Sequence, residues 1–471
     1  MPLLAHPGRG GREIPMLVLR YTLLVAGLAA SLALPAAMAQ PADAALVARA
    51  KGIHDRVLKL DTHDDIDPAH FTPACNYTQR LTTQVNLPKM TDGDMDVAFF
   101  IVYVGQRLPT EEEYAYAYEQ ASEKFDAIHR FTKEIAPDMM GLALTPEDVR
   151  RLHRQGKKIA VIGIENAYPI GTDIRRVQEF YDRGGRYMSL AHNGNNQLAD
   201  SNTGEASGYA HNNGLSPLGR QVIAEMNRLG MMIDLSHPSK GANLEAIRLS
   251  KAPVIASHSS VRALANHSRN MDDEQLLALK KNGGVIQIVG FAGYLKTDSP
   301  ERMAALAKLR EDFGFGGGRT GGPTFRRPAA NARACPVEDP NPAPAAADAS
   351  TSRRMTMILN MIPAERRAEY QQRMAEIDKK HPAATRANVQ DLVNHIDYAV
   401  KLIGIDHVGI SSDFDGGGGI DGWNSAAEAF NVTLELVRRG YTEEQIAKLW
   451  GGNLLRVWGD VEKVAQTLRK P

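Results

Sequence analysis

His63, Asp65, Glu165, His192, His237, His258 and Asp413 carry the chemistry this sequence is best placed to do. Imidazole and carboxylate together make a zinc-type ligand set. His63 and Asp65 form an His-x-Asp pair. On a strand, residues i and i+2 point to the same side, so both side chains reach one cation. His237 and His258 sit in parallel contexts, Asp-Leu-Ser-His and Ile-Ala-Ser-His. Glu165 follows an apolar run, and a carboxylate has two oxygens with which to bridge two cations. Two cations roughly 3.5–4 Å apart share one hydroxide and clamp a reacting group. Any one of these histidines alone reads as a satisfied core or loop residue, and an isolated His-x-Asp triplet is common by chance. The joint pattern is what carries the argument.

These residues need elements to hold them. Short apolar runs at 57–60, 97–104, 159–164, 187–191, 231–235, 253–256, 285–289 and 408–410 each end in a polar cluster or a glycine. Short, mostly apolar runs are what a parallel sheet buries on both faces. Helical patterns lie between several of them, as at 215–229 and 272–281. Alternating units in this number predict an α/β fold, a (β/α)8 TIM-type barrel. In such barrels the C-terminal strand ends form the active face. The interval between the seventh and eighth strands is too long for one unit. An insertion is therefore expected at 310–385, Gly-, Pro- and Ala-rich over 314–350 and a charged amphipathic helix over 352–380. Gly416–Gly419 lacks nucleotide-binding spacing and reads as a mobile loop. Asp64 reads as a solvated or helix-capping carboxylate, Asp415 as a cap of the Gly-rich loop, and His395 and His407 as structural.

With 55 basic and 55 acidic residues, the chain has no electrostatic case for a nucleic-acid partner. Residues 1–39 read as a secretory signal peptide. Arg9, Arg12 and Arg20 precede an uncharged apolar run, which ends at the small-x-small signal Ala37-Met38-Ala39. Residues 40–471 are then a single catalytic domain, exported to a bacterial periplasm or secreted, with no stable membrane insertion after cleavage. In an oxidising compartment the two cysteines, Cys75 and Cys335, are able to pair, though sequence does not place them within bridging distance.

As an ordered set, several segments resemble the membrane dipeptidase (renal dipeptidase) family of metallopeptidases. They are Leu60-Asp61-Thr62-His63-Asp64-Asp65, Gly163-Ile164-Glu165-Asn166, Ile233-Asp234-Leu235-Ser236-His237, the 253–260 run with His258, the 407–416 run with Asp413, and Gly452-Asn453-Leu454-Leu455-Arg456-Val457. The resemblance runs from about Ala48 to the C-terminus and departs in the insertion and in the loop after His63. It implies a binuclear zinc hydrolase that cleaves free dipeptides, L,D as well as L,L, through a metal-bound hydroxide. His63 and Asp65 would hold one zinc, His237 and His258 the other, and Glu165 would bridge them. Asp413 would be the catalytic carboxylate. His192 would contact substrate and steady the tetrahedral intermediate, and Arg269 would grip the substrate carboxylate. The resemblance also implies a homodimer and activity on β-lactam amides.

Two alternatives stand beside it. Another metal-dependent amidohydrolase or lactonase would use the same barrel, but those relatives usually begin with His-x-His and often bridge with a lysine. A non-catalytic periplasmic binding protein would be expected to have lost a ligand or the catalytic carboxylate.

Overall fold

Nine strands run in parallel through the computed structural model, which describes residues 41–314, 334–339, 359 and 362–470. They are β1 (Leu60–Asp65), β2 (Val97–Tyr103), β3 (Met140–Leu142), β4 (Lys158–Glu165), β5 (Gly185–Ser189), β6 (Met232–Asp234), β7 (Ile255–Ser259), β8 (Val285–Val289) and β9 (Val408–Ser411). Their order is β1-β2-β4-β5-β6-β7-β8-β9. The short β3 pairs with residues 158–160 of β4, on the stretch that β5 leaves free. Eight strands thus form a nearly closed (β/α)8 barrel. Its seam is stitched by one parallel bridge, with Asp65 N donating to Phe414 O at 2.8 Å. The Asp61 carboxylate reinforces the seam by accepting from Ser412 N at 3.0 Å.

The two-residue period of the strands sorts their side chains. Val97, Phe99 and Ile101 join Ile159, Val161, Tyr187 and Val285 inside the barrel, where the C-terminal helix (Asn453–Leu468) adds Leu454 and Trp458. Ala98, Phe100 and Val102 pack outward under the surrounding helices. Each fully buried large apolar side chain contributes about 1.5–3 kcal/mol. Apart from Tyr187, the barrel therefore draws its stability from residues that take no part in the polar clusters at the strand ends.

Two strands depart from strict alternation. Between Asp61 and Asp64, β1 carries one residue more than its partner β2, and between Ala256 and Ser259, β7 carries one more than β8. An extra residue re-aims the side chains beyond it. In β1 it turns His63 and Asp65 inward on the side of Leu60; in β7 it turns His258 inward on the side of Ile255.

The first strand differs from expectation. Residues 57–59 only lead into it, and β1 is Leu60 followed by the polar run itself. It stays buried because its polar groups find partners, Thr62 Oγ1 donating to Ser257 O at 2.7 Å. Asp64 is buried rather than solvated. The Gly-rich loop is pinned, with Gly418 N on Asp413 O at 2.7 Å and Gly419 N on Gly290 O at 2.9 Å. Asp415 accepts from Gln84 N at 3.0 Å, so it ties this loop to the one after β1.

The helix that leads into the insertion, Pro300–Asp312, packs on a helix within it, Arg367–Lys380. Its segment 334–339 is held to the loop after β1 by a Cys75–Cys335 disulfide, Cα atoms 5.4 Å apart. The signal-peptide reading of 1–39 and the Gly/Pro/Ala-rich parts of the insertion at 315–333 and 340–358 lie outside the described residues. No helix among the described residues is long and apolar enough to cross a membrane.

Candidate metal centre

The strand ends bring six of the sequence-predicted residues to the floor of one cleft of about 890 Å3: Asp65, Glu165, His192, His237, His258 and Asp413. His63 lies just beneath, fully buried. Glu165 is at the centre. Its Oε2 faces His63 Nε2 at 3.7 Å, while its Oε1 faces His237 Nε2 at 2.8 Å and His258 Nε2 at 3.4 Å. Asp65 Oδ2 approaches His63 Nε2 at 3.6 Å. Asp413 groups with His63 and Asp65, all within 4.8 Å of one another. His192 Nε2 stands 3.7 Å from Glu165 Oε1.

The backs of the histidines fix which nitrogen faces inward. His63 Nδ1 is 2.9 Å from the Tyr187 hydroxyl, which donates its own proton to Thr62 O at 3.0 Å. His258 Nδ1 is 2.8 Å from the Ser257 hydroxyl, which donates to Asp234 at 2.7 Å. His237 Nδ1 is 3.2 Å from Asn193 Oδ1. Each Nδ1–H is therefore donated outward, and each Nε2 presents a lone pair to Glu165 when the ring is neutral. His237 Nε2 and His258 Nε2 then face each other at 3.1 Å with lone pairs opposed. That spacing suits two ligands of one cation.

The charges agree. Burial pushes Glu165 up to about 8 and Asp413 up to about 7, and the neighbouring Asp65 adds to both. Burial opposes a charge on His63, but Glu165, Asp65 and Asp413 outweigh it and raise the ring to about 9. Burial, then Arg269, lowers His192 to about 3. His237 is held well below its usual range by burial and by Arg269, and His258 by burial and by His63. His63 Nε2 has no hydrogen-bond partner. A buried cluster that resists ionising its carboxylates, and leaves an imidazole nitrogen unmatched, fits positive charge supplied from outside the chain. The donor set is that of a hard-to-borderline divalent ion.

Local backbone geometry serves the same end. His237, Asn166, Asp413 and Asp415 all have positive φ, 81°, 70°, 60° and 61°. Such non-glycine conformations cost about 1–3 kcal/mol each and gather at functional sites. Gly416 is a requirement of the cluster. A Cβ there would sit 2.3 Å from both Asp65 Oδ2 and Asp413 Oδ1.

Arg269 is buried behind this floor and is not among the cleft-lining residues. Its guanidinium donates to His258 O at 3.1 Å and Ser259 Oγ at 3.3 Å, lies 5.2 Å from the Tyr294 ring centroid, and leaves Nε without a hydrogen-bond partner. His395 and His407 make backbone-directed bonds elsewhere. Sequence reasoning misses Tyr187, Ser257, Asp234 and Asn193. Tyr187 and Asn193 carry no ligand signal, Ser257 adjoins His258 in the chain, and only the fold brings Tyr187, Asn193 and the Asp234 carboxylate behind the histidines.

Comparisons with known proteins bear on this site. The family model for membrane dipeptidase (Peptidase family M19) matches residues 47–471. Dipeptidase aclJ of Aspergillus oryzae is 29% identical over 441 residues, 89% of this chain and 83% of its own. The crystal structure of the probable dipeptidase PvdM from Pseudomonas aeruginosa is 33% identical, covering 89% of this chain and 99% of that one, with a TM-score of 0.71. A metallopeptidase from Rhodobacter sphaeroides, solved with a phosphinate mimic of the dipeptide L-Ala-D-Ala, shares the fold at 20% identity, 86% and 99% coverage, and a TM-score of 0.61.

Proposed function

The chain belongs to the membrane dipeptidase family of metallopeptidases, and from that premise we propose that it hydrolyses free dipeptides, L,D as well as L,L, with two zinc ions. His63 and Asp65 would hold one ion, His237 and His258 the other, with Glu165 between them. The observation that carries this reading is the division of Glu165, one oxygen toward His63 and the other toward the facing pair His237 and His258. Zinc in such a site supplies a nucleophilic hydroxide near neutral pH and polarises the scissile carbonyl.

The chain's own groups do the rest. His192 is neutral at working pH because burial and Arg269 disfavour its charge. Its ring therefore serves as a hydrogen-bond donor to the oxyanion that forms during attack, rather than as an acid. The Asp413 carboxyl sits among the ligands at the cleft floor, where it takes a proton from the nucleophile and delivers it to the leaving nitrogen. Arg269 would grip the terminal carboxylate of the substrate only by turning its guanidinium into the cleft, away from His258 O and Ser259 Oγ where it now donates. Export belongs to the same proposal, and the Cys75–Cys335 bridge suits an oxidising compartment.

The test is hydrolysis of L,L and L,D dipeptides with N-acylated controls, with and without chelator, by wild type and Asp413→Asn. Wild-type cleavage should vanish with chelator and return with zinc. The variant should keep its metal and lose about 10²–10⁴-fold in turnover. Folded, zinc-loaded protein that cleaves no dipeptide would sink the reading and turn attention to other amides and lactones.

A further inference from the structure

Tyr187 stands inside the barrel with no exposed surface, its ring stacked on Phe99 with centroids 5.6 Å apart. By type and position it is a core residue. Its hydroxyl nevertheless reaches from β5 to β1, where it donates to Thr62 O at 3.0 Å and meets His63 Nδ1 at 2.9 Å. A phenol has a single proton to give. With that proton on Thr62, the oxygen accepts from His63 Nδ1–H and leaves Nε2 as the nitrogen that faces Glu165.

The reach depends on the strand between. Position 163 of β4 is glycine, and a Cβ there would lie 2.3 Å from Tyr187 Cζ and 2.7 Å from its hydroxyl oxygen. Any other residue would push the phenol off His63. The supports differ in kind. His258 is backed by its own chain neighbour Ser257, and His237 by Asn193 on the loop after β5. His63 depends on a side chain that crosses the barrel through a gap kept open by a glycine.

We propose that Tyr187 is a positioning residue for the metal centre. Its hydroxyl holds His63 in the Nδ1–H tautomer and in the ring orientation that offers Nε2 to a cation, and Gly163 provides the clearance. The inference rests on the reading of His63 as a metal ligand. A ring without that anchor is free to place its proton on Nε2, which then has no lone pair for a cation.

The experiment is metal titration of wild type and Tyr187→Phe by competition with a chromophoric chelator, with cadmium NMR of the loaded proteins. Wild type should bind two ions and show two cadmium resonances. In Tyr187→Phe one site should weaken by about 10–100-fold, and one resonance should shift or broaden while the other stays. The metal-free protein should stay folded, its melting temperature lowered only by the hydrogen bonds that Thr62 O and His63 lose, because the ring remains in place. Gly163→Ala, with the tyrosine retained, should reproduce the one-site loss. Two unaltered sites in Tyr187→Phe would overturn the proposal. Equal weakening of both sites would also overturn it, by assigning Tyr187 to packing. Wild type that binds no metal would instead remove the ligand reading itself, and this inference with it.

Discussion

The same strands bury charge at both ends, and the two ends handle it differently. Where β1, β2 and β4 begin, Lys59 is buried with its ammonium 2.8 Å from Asp94 and 3.4 Å from Asp96, and it also donates to His54 O and Val57 O. His153 Nδ1 lies 3.5 Å from the other oxygen of Asp96. Burial works against Asp96, but His153 and Lys59 outweigh it and hold its carboxyl below the usual range. This end is balanced by its own residues. Where the strands finish, Glu165 and Asp413 are pushed up and His63 Nε2 goes unmatched. A buried ion pair is neutral to stability at best, and an unpaired buried charge is costly. A fold that balances one cluster and leaves the other short of positive charge has built the second for a ligand.

The comparison breaks first at Gly416. A methyl group there meets the Asp65 and Asp413 carboxylates at 2.3 Å and must drive them apart. We expect Gly416→Ala to lose at least about tenfold in metal affinity, on the scale of disturbed metal surroundings, and to lose dipeptidase activity with it. The circular dichroism and melting temperature of the metal-free protein should stay near wild type. Retained metal and activity would mean that the loop yields easily and that the close approach of the two carboxylates is incidental.

Lys59→Met makes the opposite cut. It removes the cation from the balanced end and leaves Asp96 buried without it. Removing one partner of a buried pair costs about 3–5 kcal/mol. We place this case at the low end, because Asp94 is 41% exposed and is able to turn to water. The melting temperature should fall while metal content and kcat/KM per folded molecule hold. A variant that loses metal at unchanged melting temperature would show that the two ends are coupled through the strands.

The difference between the ends also governs what can be read from the sequence. Glu165, His237, His258 and Asp413 are visible because each closely follows an apolar run with a residue type that a strand end has no structural reason to repeat, and His63 and Asp65 because they stand in the polar cluster that ends the run 57–60. Seven of the eight barrel strands are visible for the same reason. The first is offset because β1 is almost wholly polar, and its burial depends on partners such as Ser257 and Ser412 that only closure of the barrel supplies. The extra residues in β1 and β7 leave no mark in composition, yet they aim three of the proposed ligands. The charge of Asp64 suggests water; it is buried beside Ser412 instead. Tyr187 and Gly163 look like packing, since nothing local says that a phenol from one strand meets an imidazole from another. The balanced end is invisible as a unit, because Lys59, Asp94, Asp96 and His153 look like ordinary surface charge until the fold buries the first.

The smallest effect is the most discriminating, because it reads the sign of the imbalance. In the metal-free folded chain, Glu165 is raised from 4.5 to about 8, Asp413 from 3.8 to about 7, and His63 from 6.5 to about 9. Each keeps a proton at pH values where the unfolded chain has released it. Where the native state binds more protons, stability falls as pH rises. His192, lowered from 6.5 to about 3, works the other way, adding stability as pH climbs through that interval. It falls silent above 6.5, as do His237 and His258, which are shifted in the same direction. Between about pH 6.5 and 9 the raised carboxyls and His63 set the slope at this end, so the melting temperature of chelator-treated protein should decline across that window. At the other end Asp96 is felt only in acid, and His153, raised by Asp96 but 42% exposed, adds only a solvent-screened part of the decline. Saturating zinc takes the place of the displaced protons and should flatten the decline. A metal-free protein whose melting temperature is flat or rising from pH 6.5 to 9 would mean that the C-terminal end of the barrel, like the other, balances its own charge.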